Sequence, residues 1–253
     1  KNGAVTHGDL DSSGVCVVRS SGAEMVDACR ACHAGVIESL DRMLSLPGTL
    51  GAPSDRHFLP FATCRGDGGA PPPTHQRDFL LPFSPWVEEV LQIALRGTEA
   101  GAILVQALGR DAELDGLQAI TSEPGTAAQD LHSDAAWGTP RTVTVFLALH
   151  DILDETMGPT RFVPETHEPR CFPGRRWMPP PRVGGDLGER RTAWFALRTG
   201  DAVLMDSLTW HGAGANRGEQ RRTLLAASFV NRSSEGRLPA QRPPGLRLGD
   251  FAL

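Results

Sequence analysis

Apolar and polar positions along the chain follow two different rhythms. Between residues 25 and 43 the apolar side chains Met25, Cys29, Cys32, Val36, Leu40 and Met43 recur every three or four positions, the spacing of one helix face. "SGAE" at 21–24 stands ahead of this run with Ser21 as an N-cap and Glu24 three residues on, which is a capping box. A helix is therefore expected to about Leu46, stopping before Pro47. "GVCVV" at 14–18 reads as a short strand ahead of it. Ser84-Pro85 opens a second helix, with Pro in its first turn and an end near Gly97. Beyond residue 98 the rhythm shortens. "AILVQAL", "LQAITS", "TVTVFLAL", "TRFVP", "AWFAL", "DAVLMD" and "TLLAASFV" are short apolar or alternating runs, with Gly125, Gly158 and Gly200 among the turn residues between them. Such a succession predicts strands of a sandwich or barrel. Two stretches break the pattern. Residues 47–78, with "GDGGAPPP", read as a long loop, and 171–191, "CFPGRRWMPPPRVGGDLGERR", as a loop or lid. The expected layout is one domain over 1–253: a strand, helices and a Pro/Gly loop in 1–98, a β body in 99–232 and a tail in 233–253.

Composition narrows the function. A chain of 253 residues with 40% hydrophobic residues can bury a sizeable core. The net charge of -5, without a Lys/Arg block, gives no nucleic-acid footprint. No apolar stretch nears the roughly 18 residues that a membrane helix needs. The five cysteines are odd in number and irregular in spacing, which favours a reducing compartment and the cytoplasm. The chain begins at Lys1 rather than Met, as expected of a fragment or processed form. Cys29 and Cys32 form a CxxC pair, but both fall on the apolar helix stripe and read as core thiols rather than a redox or zinc site. "NRS" at Asn231 is a glycosylation sequon, relevant only to a secreted protein.

The candidate chemistry lies in "QDLHSDAAWGTPRTVTVFLALHD", residues 129–151. His132 and Asp134 stand two apart at the entry to the β body, after the turn "SEPGT". His-x-Asp is a weak signal by itself, and His7 and Asp9 repeat it where no strand pattern follows. A two-histidine, one-carboxylate metal site needs a further histidine from elsewhere. His57, His75, His150, His167 and His211 are the candidates. His211 follows the run "GDAVLMD" and precedes Gly-Ala-Gly, where the backbone can approach a ligand closely. Arg222 comes eleven residues later, at the start of the next strand. Three protein ligands on one face of an iron leave positions open for a chelating cosubstrate and oxygen. A guanidinium suits the far end of a dicarboxylate chelator, because its planar fork makes two parallel hydrogen bonds to a carboxylate.

The ordered set "LDSSGVCVV", "PGTAAQDLHSD", "TVFLALHDILDETMGPTRFVPETH" and "GDAVLMDSLTWHGAGANR", with the arginine after it, resembles the phytanoyl-CoA dioxygenase family of Fe(II)- and 2-oxoglutarate-dependent oxygenases. The resemblance covers most of the chain. It implies a mostly β fold with flanking helices: a double-stranded β-helix, or cupin-like jelly roll, with the N-terminal helices packed outside. It implies His132, Asp134 and His211 as iron ligands, with Fe(II), 2-oxoglutarate and O2 as the cofactor and cosubstrates. Arg222 matches the partner of the distal carboxylate, with Arg221 as competitor, since strand alternation lets only one point inward. Gln129 and Thr160 match positions that contact the cosubstrate. The carboxylate of Asp134 favours hydroxylation over halogenation, which uses a small residue at that position. The family phrase "PGSH" reads "PETH" here, so Glu165 replaces a turn glycine.

The expected substrate is a small molecule, apolar or acyl-CoA-like. Trp137, Trp177, Trp194 and Trp210 are pocket candidates that equally suit packing, and Arg170, Arg175, Arg176, Arg182, Arg190 and Arg191 could attract an anion. The oligomeric state is left open. Two other classes fit part of the pattern: a zinc-dependent hydrolase on a similar barrel, and a non-catalytic family member acting as a binding protein.

Overall fold

The computed structural model describes residues 9–20, 22–45, 76–135, 138–168, 192–231 and 247–251. A short helix, α1 (Leu10–Ser13), is capped by the Asp9 side chain and leads into β1 (Val15–Val18). The long helix α2 (Ala23–Leu44) buries Met25, Ala28, Cys29, Cys32, Val36 and Leu40, the stripe read from the sequence with Ala28 added and with Met43 only half-buried at its end. Its N-cap is Gly22 in extended conformation, and no side chain caps the helix. Ser21 itself lies outside the described residues.

After β2 (Gln76–Leu80) come α3 (Pro85–Leu95) and α4 (Glu99–Leu108). Two expectations are corrected here. The run "AILVQAL" is helical, because Thr98 caps the Gly101 amide and Ala100, Leu104 and Leu108 share one buried face. The four-residue spacing outweighed the look of a continuous apolar run. The helical layer thus extends to Leu108. The last residues of the presumed Pro/Gly loop form the edge strand β2, paired with its neighbour from Gln76↔Ser122 to Leu80↔Gln118. The rest of that loop, 47–75, and the presumed lid at 171–191 lie outside the described residues.

The remaining strands are β3 (Glu113–Ser122), β4 (Thr142–Ala148), β5 (Thr160–Val163), β6 (Ala202–Asp206), β7 (Trp210–Ala213) and β8 (Arg222–Val230). Six of the eight make an antiparallel sheet in the order β1-β6-β4-β8-β3-β2. β5 and β7 pair antiparallel in a second sheet. Isolated bridges widen it on both sides, His132↔His211 and Phe162↔Ala193. "AWFAL" contributes only such bridges, at Ala193 and Leu197, and is not a strand.

The large sheet is buried on both faces. On β8, Leu225, Ala227 and Phe229 join Leu91, Leu95 and Leu104 of the helices in one core. Leu224 and Ala226 point the other way and pack with Phe146, Phe162 and Val203 between the sheets. A strand covered on both faces reads as a near-continuous apolar run. This explains "TVTVFLA" and "TLLAASFV". The last helix, α5 (Leu248–Phe251), docks with Leu248 and Phe251 fully buried, and Phe251 meets Phe229 edge-on. This part of the presumed tail is therefore core. The two facing antiparallel sheets with helices outside them match the jelly-roll expectation.

Candidate metal centre

Two backbone hydrogen bonds hold the segment before Asp134 against β7. His132 N donates to His211 O at 2.8 Å, and His211 N donates to His132 O at 2.8 Å. The reciprocal pair places both imidazoles on one side, with ring centroids 4.5 Å apart. Gly212 makes the approach possible. A Cβ there would stand 3.0 Å from Asp130 O and 3.2 Å from Gln129 O, both backbone atoms. The small residue thus admits the neighbouring chain segment, rather than a ligand as the sequence suggested. Asp134 is fixed from the other side, since the amides of Asp134 and Ala135 both donate to Ser207 O.

The hydrogen bonds also settle which ring nitrogen is available. His132 Nδ1 donates to Asp130 O at 2.9 Å, and His211 Nδ1 donates to Thr209 O at 3.0 Å. Both Nε2 atoms are then lone-pair donors aimed at the same point. His132 Nε2 is 3.6 Å from Asp134 Oδ1, and His211 Nε2 is 3.5 Å from Asp134 Oδ2. One donor atom from each of the three residues lies within 4.8 Å of the others. Ligands about 2.0–2.2 Å from a first-row ion sit roughly 3 to 3.5 Å from one another, so the grouping fits a divalent cation. It does not read as a conventional ion pair. Burial holds the His211 imidazole below its ordinary pKa, against the pull of Asp134. It is thus neutral at pH 7, the form that ligates a metal.

Arg222 begins β8 on its inner face and is 0% exposed. Its Nη1 donates to Thr160 Oγ1 at 3.4 Å. Arg221 faces outward, where its Nε donates to Glu123 Oε1 at 2.7 Å. A narrow cleft lies between the sheets, with Arg222 and Thr160 as its polar members and Phe146, Phe162, Phe195 and Leu224 among its apolar walls. A long anion entering there would lie in an apolar slot with a guanidinium at its end. Gln129 ties its segment to β7: its Oε1 accepts from Ala213 N at 3.0 Å, and its own amide donates to Ala213 O.

The other histidine candidates are elsewhere. His150 Nε2 accepts from Thr223 N at 2.8 Å, and its ring stacks on His33. His167 Nε2 donates to Asp11 O at 3.1 Å. His57 and His75 are outside the described residues, as are Trp177, the Trp137 side chain and the six arginines of 170–191. Trp210 is buried beside His211, and Trp194 is half-buried. The carbonyls of Asp130 and Thr209, which orient the imidazoles, had no signature in the sequence. Nor did Gln76, Asp78 and Ser122, which line the interior on β2 and β3.

The phytanoyl-CoA dioxygenase (PhyH) family model matches residues 11–224. The chain is similar to "Dioxygenase cdmA" of Talaromyces verruculosus, 33% identical over 107 residues. That match takes in 38% of this chain and 32% of the relative, about a third of its length. Among solved structures, the epimerase SnoN in complex with Fe3+, alpha ketoglutarate and nogalamycin RO aligns with a TM-score of 0.60 at 18% identity, over 94% of this chain and 91% of its own. AviO1 from Streptomyces viridochromogenes Tue57 aligns with a TM-score of 0.62 at 17% identity, over 90% of this chain and 94% of its own. At such identities the structural likeness speaks for the fold. The family match spans α1 to the start of β8, which takes in all three residues of the cluster and the buried arginine. By that match the chain belongs to the phytanoyl-CoA dioxygenase family.

Proposed function

We propose that the protein is a non-haem Fe(II)- and 2-oxoglutarate-dependent oxygenase that hydroxylates a C–H bond of a small molecule. One observation carries the reading. Two Nε2 lone pairs and one carboxylate converge, each imidazole is locked by a backbone carbonyl, and a buried arginine lines an apolar cleft between the sheets. His132, Asp134 and His211 would hold iron. Arg222, steadied by Thr160, would take the distal carboxylate of 2-oxoglutarate. Iron and 2-oxoglutarate, when bound, supply with O2 the oxidising power for the C–H bond and leave succinate and carbon dioxide.

The chain's own residues bind and orient. The carbonyls of Asp130 and Thr209 keep the Nδ1 protons in place, which leaves Nε2 unprotonated. Ser207 O positions the Asp134 loop. Phe146, Phe162 and Phe195, all buried, give the cleft its apolar walls. Low dielectric there strengthens the hold of Arg222 on an anion. Gln129, occupied with Ala213, serves this reading by fixing the ligand-bearing segment to β7.

A zinc hydrolase would use the same three ligands but has no use for a guanidinium buried in an apolar slot. The deciding experiment measures succinate formation with ferrous iron and 2-oxoglutarate, alongside stoichiometric Fe(II) binding. Asp134→Ala and His132→Ala should each bring succinate to background and weaken Fe(II) binding. Full succinate formation by purified Asp134→Ala, or a requirement for zinc without 2-oxoglutarate, overturns the reading.

A further inference from the structure

Edge strand β2 carries polar side chains on the face that looks between the sheets. Its register fixes that face. Asp78 pairs with Ile120, which pairs with Leu224 of the inner core, and Gln76 pairs with Ser122, which pairs with Arg222. Phe79 and Ala119, one residue over, belong to the helix-side core. On the inner face Gln76 Oε1, Ser122 Oγ and Oδ1 of the half-buried Asp78 are closed off from solvent and have no hydrogen-bond partner among the described residues. Gln76 is 5% exposed. Three such oxygens on adjoining strands cost stability, because a buried polar group left unpaired loses its hydration without replacement. None of them takes part in holding the metal cluster or the arginine.

We propose that Gln76, Asp78 and Ser122 form a polar wall of the substrate pocket and that the substrate is a small molecule bearing several hydroxyl groups. This rests on the oxygenase reading above for the reaction, but not for the wall. A hydroxyl both donates and accepts, so one substrate with a few hydroxyls satisfies all three oxygens. Burial, and after it the charge of Asp134, push the Asp78 carboxyl up to about 8. Burial, which acts with or without a cation at Asp134, favours the protonated carboxyl, which offers both a donor and an acceptor. An ammonium partner would require the carboxylate instead, and an acyl chain would leave all three oxygens unpaired. The pairing of Ser122 with Arg222 places the wall beside the arginine of the cleft. The expected apolar or acyl-CoA-like substrate does not fit this face.

The test uses the chain loaded anaerobically with Fe(II) and 2-oxoglutarate, followed by its visible charge-transfer band. On admission of oxygen, succinate is measured with methyl α-glucoside, a flavonoid glucoside, spermidine or palmitoyl-CoA. Either hydroxylated probe should accelerate succinate formation in the wild type. That response should fall at least tenfold in Asp78→Leu and persist in Asp78→Asn, with the band intact in all three proteins. Acceleration only by spermidine or palmitoyl-CoA, or an undiminished response in Asp78→Leu, overturns the proposal. If no probe accelerates the wild type, thermal melts decide. Replacing an unpaired buried polar group by an apolar one should raise Tm by about 2–4 °C in Asp78→Leu and in Gln76→Leu. A fall in both means the groups are structural and overturns the proposal. An absent band in the wild type sinks the oxygenase reading, and the melts then still judge the wall.

Discussion

Arg221 and Arg222 are adjacent in the chain and opposite in environment. Arg222 is sealed inside the sheets, and Arg221 makes a half-exposed pair with Glu123. A charged side chain is kept fully buried only where it has a partner to meet. Losing a charge-assisted hydrogen bond costs about 1.5–3 kcal/mol, or roughly ten- to a hundredfold in affinity. Arg222→Lys, which lacks the planar fork, should weaken 2-oxoglutarate binding by at least tenfold in calorimetry. Arg221→Ala should change it less than threefold, because exposed ion pairs contribute only about 0–1 kcal/mol. Equal effects of the two substitutions would remove Arg222 from the site. Glu165 makes a related point. Alone among the described residues other than glycine it has positive φ, 65°, at the position where the family phrase has glycine. The turn keeps its left-handed conformation, and Glu165 N donates to Ser13 O at 2.8 Å.

At the level of elements, caps and stripes decided more than the apolar runs themselves. The α2 stripe was legible because a helix buries every third or fourth residue, and it explains the CxxC pair. Burial pushes the Cys29 thiol up to about 12 and raises Cys32 as well, so neither thiol is a nucleophile. α4 departs from the strand that its apolar run suggests because the Thr98 cap and the four-residue spacing of Ala100, Leu104 and Leu108 favour a helix. Thr98 Oγ1 accepts from Gly101 N and donates to Ala94 O. Thr98→Ala should cost about 1 kcal/mol and lower Tm by about 2–4 °C in a melt. An unchanged Tm would mean that the cap contributes nothing. β2 was invisible because an edge strand of mixed polarity has no pattern of its own. Its face follows from its pairing with β3.

For the molecule as a whole, α2 meets the end of β4 through two stacked histidines, His33 and His150, with centroids 5.2 Å apart. Burial lowers the pKa of both, and each has a positive neighbour, Arg221 for His33 and the other histidine for His150. The native state therefore binds protons less readily than the unfolded chain. Stability is complete above the ordinary value of 6.5 and is lost as pH falls from there toward the lowered native values. Melts between pH 7.5 and 5 should show Tm declining below about 6.5. The decline should be shallower in a His33→Gln/His150→Gln protein, and an identical slope would place the acid sensitivity elsewhere. Protonated His150 would also lose its bond from Thr223 N, next to Arg222, so acid should weaken the site along with the fold.

Local chemistry determined much of this protein before any tertiary contact formed. Alternation and periodicity marked most strands and two of the long helices, and the family resemblance pointed to His132, Asp134, His211 and Arg222. These signals are legible because they depend on residue type and spacing within one segment. Pairing between distant segments decided the rest. It chose Arg222 over Arg221 for the interior, turned Gly212 into the gap through which residues 129–132 approach β7, and brought Asp78 and Gln76 inside. Register and close approach involve partners more than forty residues apart, so no single stretch of sequence contains them.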